Sequence, residues 1–169
     1  GLQHEDGHSH MQAALIPNCI PYDPTFAYEV AIIVRDGIRR MYTEHEDVYY
    51  YMTLLNENYA HPEMPEGSEH GILKGLHQIG EHKGSKGHVQ LMGSGSILQE
   101  VIAGAKLLAD EWGIGSDVWS ATSFTLLARE AADVERYNRL HPTGKPRTAY
   151  LNEVLTGKEG PIVVSTDYI

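Results

Sequence analysis

Apolar positions in the first third of the chain change from a helical period to an unbroken run. Residues 18–22 are predicted to form a short strand, and apolar side chains then recur every three or four positions, which predicts a helix over 24–42. Asp23 followed by a proline favours a helix start, because aspartate can cap free N–H groups and proline fits the first helical position. The apolar row of this helix is predicted to consist of Phe26, Val30, Ile33, Val34, Gly37, Ile38 and Met41.

A second strand is predicted directly after this helix. Residues 48–55 are aromatic, β-branched and apolar, which is typical of a strand buried on both faces. A strand, a helix and a strand in this order predict a βαβ unit with two parallel strands.

The second half of the chain alternates again between strand-like and helix-like segments. Its predicted elements are a strand at 88–92, a helix at 97–113, a strand at 117–122, a helix at 125–141, a short helix at 149–155 and a strand at 162–165. Such alternation is typical of a parallel sheet with helices on its faces. The predicted fold class is therefore α/β.

The stretch between these halves is rich in proline, glycine and charged residues. It is interpreted as a linker with a short helical turn near 68–79 and a loop over 81–87. The polar opening of the chain, residues 1–12, is also predicted to be a loop. The predicted division is a first domain, a linker and a second domain at 1–60, 61–87 and 88–169.

Composition narrows the possible partners. The 169 residues include 13 Lys and Arg against 23 Asp and Glu, a formal net charge of −10 that does not favour nucleic acid. No apolar run approaches the ~18 residues of a membrane span, so no membrane segment is expected. The one cysteine, Cys19, is expected to be a buried thiol, and a reducing, cytoplasmic setting is favoured.

Because the chain begins with Gly1 and ends in a predicted strand, we expect it to be a piece of a longer protein.

The turn GSGS at 93–96 lies between a strand and a helix, as the glycine fingerprint of dinucleotide-binding proteins does. That fingerprint requires a third glycine, but Leu98 occupies the position, and the nearest suitable acidic residue, Asp117, opens a strand instead of following one. A tight connection in which Ser94 or Ser96 caps the helix is therefore favoured. An anion at the helix N-terminus is the weaker alternative.

Ten histidines in 169 residues suggest chemistry near neutral pH or a metal site. Three imidazoles and two carboxylates cluster in the opening of the chain: His4, Glu5, Asp6, His8 and His10. A metal site, an active-site loop at a sheet edge and a solvated loop are all compatible with this pattern. Four other histidines in polar surroundings are expected at the surface: His61, His70, His77 and His82.

Several long sequence motifs, in order along the chain, are similar to motifs of one enzyme family. They are GLQHEDGHSH, IPNCIPYDPTFAYEVA, VYYYMTLLNENY, MPEG, VQLMGSGSIL, DVWSATSFTLLAREA, ERYNRLHP and the terminal STDY. The chain resembles the homodimeric pyruvate dehydrogenase decarboxylase component of bacterial pyruvate dehydrogenase complexes. More distantly, EDGHSH resembles the EDGPTHQ word of transketolases. The resemblance implies the end of a pyrimidine-binding thiamine diphosphate domain with a parallel sheet, followed by an incomplete transketolase C-terminal-like α/β domain.

The resemblance also implies a function. Enzymes of this family decarboxylate pyruvate with thiamine diphosphate and Mg²⁺, and acetylate lipoamide on the lipoyl-bearing dihydrolipoamide acetyltransferase component. His4 matches the family's active-site histidine and is expected to position substrate and stabilise the developing charge on its oxygen. Asp6 and His10 match residues that line the substrate channel of transketolases, whereas Glu5 and His8 receive no role.

Other implications concern what this piece can do alone. The family's Gly-Asp-Gly…Asn word, which holds Mg²⁺ and the diphosphate, does not occur in the chain, so no cofactor-binding or metal-binding residue is expected here. The isolated piece is accordingly expected to be inactive. Two other classes of function stay open: a non-catalytic interaction or dimerisation piece, and a small metal-binding protein that uses the histidine-rich opening.

Overall fold

A computed structural model describes residues 6–168 of the chain. Its helices are α1 (Ser9–Ala14), α2 (Ala27–Ile38), α3 (Glu69–Lys74), α4 (Ile97–Leu107), α5 (Phe124–Leu140) and α6 (Tyr150–Leu155). Its strands are β1 (Cys19–Tyr22), β2 (Tyr49–Met52), β3 (His77–His82), β4 (Gly87–Gly93), β5 (Ile114–Ser120) and β6 (Ile162–Ser165). Short π-helical turns continue α2 and α4, at Arg39–Thr43 and Leu108–Trp112.

Two sheets organise these elements. β1 and β2 form a parallel pair, in which Cys19 lies opposite Tyr49 and Tyr22 lies opposite Met52. The larger sheet has the strand order β3-β5-β4-β6, with β4 parallel to β5 and β6, and β3 antiparallel to β5. The predicted α/β fold class and the parallel βαβ unit are therefore confirmed.

Two elements differ from those that the sequence pattern predicts. α1 occupies part of the opening, and β3 lies in the predicted linker. The residues of β3, HQIGEH, are mostly polar, and they form a strand because their backbone pairs with β5, from His77 opposite Ser120 to His82 opposite Ser116. The predicted loop over 1–12 was wrong at α1, and the predicted helical turn to residue 79 and loop from residue 81 were wrong at β3. Local patterns do not indicate a pairing with a distant strand. The division into two domains and a linker stays a prediction.

Burial also departs from the sequence pattern in the small sheet. β2 is only four residues long and Tyr49 is 42% exposed, so the prediction of a strand buried on both faces was wrong. Within residues 6–168, this sheet consists of β1 and β2. On α2, Val34 and Ile38 of the predicted apolar row are exposed, whereas Ile32 and Asp36 are buried in their place.

The core consists of three clusters of buried side chains. One joins the small sheet to α2 and α3, through Ile20, Tyr22, Ile32, Ile33 and Ile72. A second lies between the larger sheet and α4, through Phe26, Val89, Leu91, Leu98, Val101, Ala105 and Val118. A third lies against α5 and α6, through Leu76, Met92, Trp119, Ala121 and Leu127. Phe26 comes from the first α/β unit and packs in the core of the second, so the two units share apolar contacts.

Glu29 lies fully buried where α2 meets the larger sheet. Its Oε2 accepts the backbone N–H groups of Thr25 at 2.6 Å and Phe26 at 2.9 Å, and its Oε1 lies 2.7 Å from His77 Nε2 and 2.6 Å from Ser120 Oγ. A buried carboxylate is costly unless donors satisfy its oxygens, and here four groups surround it. Since His77 and Ser120 belong to β3 and β5, this carboxylate ties the first α/β unit to the larger sheet.

The same contacts correct two predictions. α2 begins at Ala27 with Phe26 as its N-cap, because Glu29, and not Asp23, accepts the free N–H groups before the helix. His77 was expected at the surface but is buried against Glu29.

A Glu29→Gln substitution is expected to lower the free energy of unfolding by roughly 1–3 kcal/mol. The amide replaces one acceptor oxygen with an NH₂ donor, which then faces either two backbone N–H groups or the His77 and Ser120 side chains. Urea unfolding followed by circular dichroism measures the difference. The exposed substitution Glu63→Gln is the control, and equal unfolding midpoints for the two variants would contradict the central role of Glu29.

Candidate functional site

The candidate site lies where the carboxyl ends of parallel strands from both sheets meet. Asp23 and Thr53 directly follow β1 and β2, and Ser94 directly follows β4. Backbone hydrogen bonds join these edges, since Asp23 N–H donates to Thr122 C=O at 2.7 Å and Gly95 N–H donates to Asp23 C=O at 3.2 Å. This edge of a parallel sheet is where α/β proteins bind their ligands.

Helix α1 brings His10 to this edge. Its Nε2 lies 2.9 Å from Thr53 Oγ1, and the Thr53 hydroxyl donates to Asp23 Oδ1 at 2.6 Å. The imidazole also makes edge-on contacts with Tyr51 and Tyr168, at ring-centroid distances of 5.6 Å and 4.5 Å. We call the hydrogen-bonded chain of His10, Thr53 and Asp23 the His10 relay.

Burial moves the two ionisable ends of the His10 relay toward their neutral forms. It raises the pKa of Asp23, and hydrogen bonds from Thr53 and Ser94 oppose part of the rise. Burial likewise lowers the pKa of His10 below its usual 6.5, against the opposing charges of Asp23 and Asp6. His10 is therefore neutral at neutral pH, with one ring nitrogen as a donor and the other as an acceptor.

Asp6 supports the first turn of α1. Its side chain is exposed, and its Oδ1 accepts the backbone N–H groups of Ser9 at 3.0 Å and His8 at 3.2 Å, while Oδ2 accepts the Ser9 hydroxyl. The Ser9 hydroxyl is the main cause of a lowered pKa at Asp6. The structure thus places Asp6 and His10 around one short helix, whereas His4 and Glu5 lie outside the described residues.

A cavity of about 300 Å³ lies beside His10. Phe124 contributes an apolar wall, and Asp23 and Ser94 contribute polar groups, a mixture that is typical of small-molecule pockets. Gly95 passes next to this site with a φ of +53°, and a Cβ there would come within 2.9 Å of both carboxylate oxygens of Asp23. Glycine is therefore required for the loop to approach the carboxylate this closely.

Arg129 on α5 holds the far end of α1. Its Nη2 donates to the carbonyls of Ala14 and Ile16, both at 2.9 Å, and its Nη1 donates to the carbonyl of Cys19 at 2.6 Å. The last carbonyls of a helix lack partners within the helix, and the guanidinium supplies them here. Because α1 carries His10, a residue of the second α/β unit helps to position this imidazole.

The glycine turn has the structural role that the sequence favours. It connects β4 to α4, and Ser96 stands at the N-cap without a side-chain capping bond. The expected serine cap is therefore wrong, because Ser94 Oγ instead lies 2.9 Å from Thr166 Oγ1.

The remaining sequence candidates are distributed as follows. His61 and His70 are exposed as expected, His82 is half-buried, and Cys19 is buried. Between residues 6 and 168, no group of three or more His, Cys, Asp or Glu side chains is arranged to hold a metal ion. Over the same range, no helix combines the length and the apolar character needed to cross a membrane.

Three residues of the site were missed at the level of sequence. Asp23 was interpreted as a helix cap, and Thr53 was assigned to the interior of a strand. Both residues directly follow parallel strands, which is where α/β proteins bind ligands. Arg129 offers no comparable signal, because its partners are backbone carbonyls as far as 116 residues away in the chain.

Solved structures with a similar fold are described first. Two transketolase variants from Pichia stipitis, one in complex with fructose 6-phosphate, match 97% of this chain and 23% of their own length, with TM-scores of 0.59 and 0.60. At 14% identity this similarity shows the fold alone. Residues 75–169 also match the family model described as the transketolase-like C-terminal domain.

Sequence relatives narrow the assignment. Residues 1–62 match the model of the pyruvate dehydrogenase E1 component middle domain. The chain is 58% identical over 170 residues to the pyruvate dehydrogenase E1 component of Escherichia coli K12, and 57% identical over 171 residues to that of Cupriavidus necator. It belongs to the family of pyruvate dehydrogenase E1 components, which confirms the resemblance seen in its sequence. All of the chain is covered in these alignments, but it spans only 19% of the length of either relative.

Replacing Arg129 with methionine is expected to loosen α1 while keeping most of the apolar stem of the side chain. Without the guanidinium, amide hydrogen exchange should accelerate at Gln12 and Leu15, whose N–H groups donate to the carbonyls of His8 and Gln12 in the first and last turns of α1. Mass spectrometry of peptic peptides that cover residues 9–16 measures this effect. Arg136→Met, at an exposed position of α5, is the control, and unchanged exchange in Arg129→Met would show that the guanidinium does not hold the helix.

Proposed function

We propose that this chain forms the substrate-facing wall of an enzyme that decarboxylates pyruvate and transfers the acetyl group to lipoamide. The observation that carries this proposal is the His10 relay, a neutral imidazole linked to a buried carboxylate beside a cavity of about 300 Å³. A neutral imidazole at such an edge can exchange protons with a small substrate near neutral pH. The names of the relatives agree with this reaction class.

The cofactor of the proposed activity is thiamine diphosphate with Mg²⁺, which supplies the electron sink for decarboxylation. The residues described here do not fit its metal–diphosphate part, since 6–168 hold no group of three His, Cys, Asp or Glu side chains that could bind a metal ion. We therefore assign the metal–diphosphate site to other parts of the subunit, and no residue of this chain receives a cofactor role.

His4, Asp6 and His10 are the proposed substrate-side residues. His4, which lies outside the described residues, is proposed to orient pyruvate and to donate to the oxygen on which negative charge develops. Asp6 holds the start of α1 through its bonds to Ser9 and His8, and remains a carboxylate because its pKa is lowered. His10 adds the neutral imidazole whose surroundings are described above.

The proposed assembly is a cytoplasmic homodimer that works with the lipoyl-bearing dihydrolipoamide acetyltransferase component. The word "component" in the names of the relatives supports a place in a complex. Val34, Ile38 and Tyr42 recur every four residues along α2 and its π-helical turn, and all three are exposed. This apolar row supports a contact with another part of the full-length subunit or with a second subunit. The proposed domain division remains 1–60 and 88–169 with a linker at 61–87.

The decisive experiment replaces His4 with alanine in the full-length subunit that contains this segment. We expect kcat/KM for pyruvate to fall by at least about 100-fold, because proton transfer and charge stabilisation by one side chain commonly contribute that much. The affinity for thiamine diphosphate, measured by isothermal titration calorimetry, should change little. The assay follows acetylation of lipoamide that requires both pyruvate and thiamine diphosphate.

His45→Asn is the matched control for this experiment. His45 is exposed in the loop before β2, at the opposite end of that strand from Thr53, and asparagine tolerates its positive φ of 54°. Pyruvate kinetics that are unchanged in His4→Ala would refute the assigned role, and a full-length subunit without pyruvate-dependent acetylation would refute the proposed function as a whole.

A further inference from the structure

We propose that Thr53 is a positioning residue that holds His10 in the form protonated at Nε2, which leaves Nδ1 free to accept a proton. The catalytic consequence rests on the proposed function, because it requires His10 to act on substrate in the full-length subunit. The protonation pattern itself is a property of the described residues and can be measured independently.

The direction of the hydrogen bonds follows from the single proton of the Thr53 hydroxyl. Its oxygen lies 2.6 Å from Asp23 Oδ1 and 3.4 Å from the carbonyl of Tyr22, so the proton is donated to Asp23. The Thr53 oxygen therefore has no second proton to donate, and it can only accept a hydrogen bond from His10 Nε2, which lies 2.9 Å away. Nε2 must therefore be the donor. A neutral imidazole carries one N–H, so Nδ1 is the acceptor.

Asp23 is suited to anchor this arrangement as a carboxylate. It is 5% exposed, and the Thr53 hydroxyl donates to its Oδ1 at 2.6 Å. Ser94 is in turn 2.9 Å from Thr166 Oγ1, which can supply a proton to the Ser94 oxygen. Burial raises the pKa of Asp23, while Thr53 and Ser94 oppose the rise and so favour the carboxylate that accepts the Thr53 proton. Gly95 passes close to this carboxylate.

Ionisable groups reach His10 from every element around it. They are Asp6 before α1, Asp23 after β1, Tyr51 on β2 and Tyr168 after β6. The two carboxylates favour a charged imidazole, whereas burial opposes it and prevails. The relay therefore holds a neutral ring at neutral pH, and its orientation depends on the hydrogen bond to Thr53.

Nuclear magnetic resonance of the chain labelled with ¹⁵N-histidine tests the protonation pattern. The His10 signals are assigned by their loss in His10→Gln. We expect a proton bonded to Nε2 that exchanges slowly with water, and this protection should be lost in Thr53→Val and kept in Thr53→Ser. Thr43→Val, at an exposed position, controls for removal of a threonine hydroxyl. A proton on Nδ1 in the unsubstituted chain, or unaltered protection in Thr53→Val, would overturn the proposal.

Kinetics of the full-length subunit test the positioning role. Thr53→Val should lower kcat/KM for pyruvate roughly tenfold, which corresponds to the loss of one hydrogen bond near a charged group. Thr53→Ser should restore the value to within about twofold, because it restores the hydroxyl. In a His10→Gln background, Thr53→Val should have no further effect, since Thr53 acts through His10. Additive losses in the double variant would contradict this.

The two proposals fail in different ways. If His4→Ala abolishes pyruvate turnover while Thr53→Val leaves both turnover and the Nε2 proton unchanged, the role of Thr53 is wrong and the proposed function stands. If the Nε2 proton depends on Thr53 but the full-length subunit does not acetylate lipoamide from pyruvate, the proposed function is wrong and the positioning of His10 stands.

Discussion

The burial of one carboxylate, Glu29, is the constraint on which the arrangement of the two α/β units depends. A charged group without solvent needs donors on both oxygens, and those donors come from the residues before α2 and from β3 and β5. Neither unit alone can satisfy the carboxylate. The relative position of the two sheets therefore follows from a local requirement for hydrogen bonds, with the shared packing of Phe26 adding apolar contact.

The candidate site is a consequence of that arrangement. Once the sheets are joined, the carboxyl ends of their parallel strands face each other, and Asp23 and Ser94 come from opposite sides of the junction. Arg129 extends the dependence to α1, because a side chain of the second unit binds carbonyls at the end of the helix that carries His10. Displacement of the second unit would remove the guanidinium of Arg129 from the end of α1 and the Tyr168 ring from its contact with His10.

Both the secondary structure and the family could largely be predicted from the sequence, but for different reasons. Most helices and most strands follow from the spacing of apolar residues, which is a local property of the chain. Membership of the pyruvate dehydrogenase E1 family follows from long sequence motifs spread over the whole chain. The same motifs identified Asp6 and His10 as candidate site residues. The chemistry of His10 could not be derived in this way, because its hydrogen-bond partner Thr53 is 43 positions distant.

Residue order was thus sufficient for the α/β class, the parallel strand–helix–strand unit and the tight glycine turn, since each depends on neighbours within one or two elements. The folded chain alone decided that β3 is a strand, that His77 is buried and that Asp23 is a site carboxylate instead of a helix cap. These outcomes depend on partners that are remote in sequence. Their energies come from pairing, desolvation and hydrogen bonding, which exist only when distant segments are in contact.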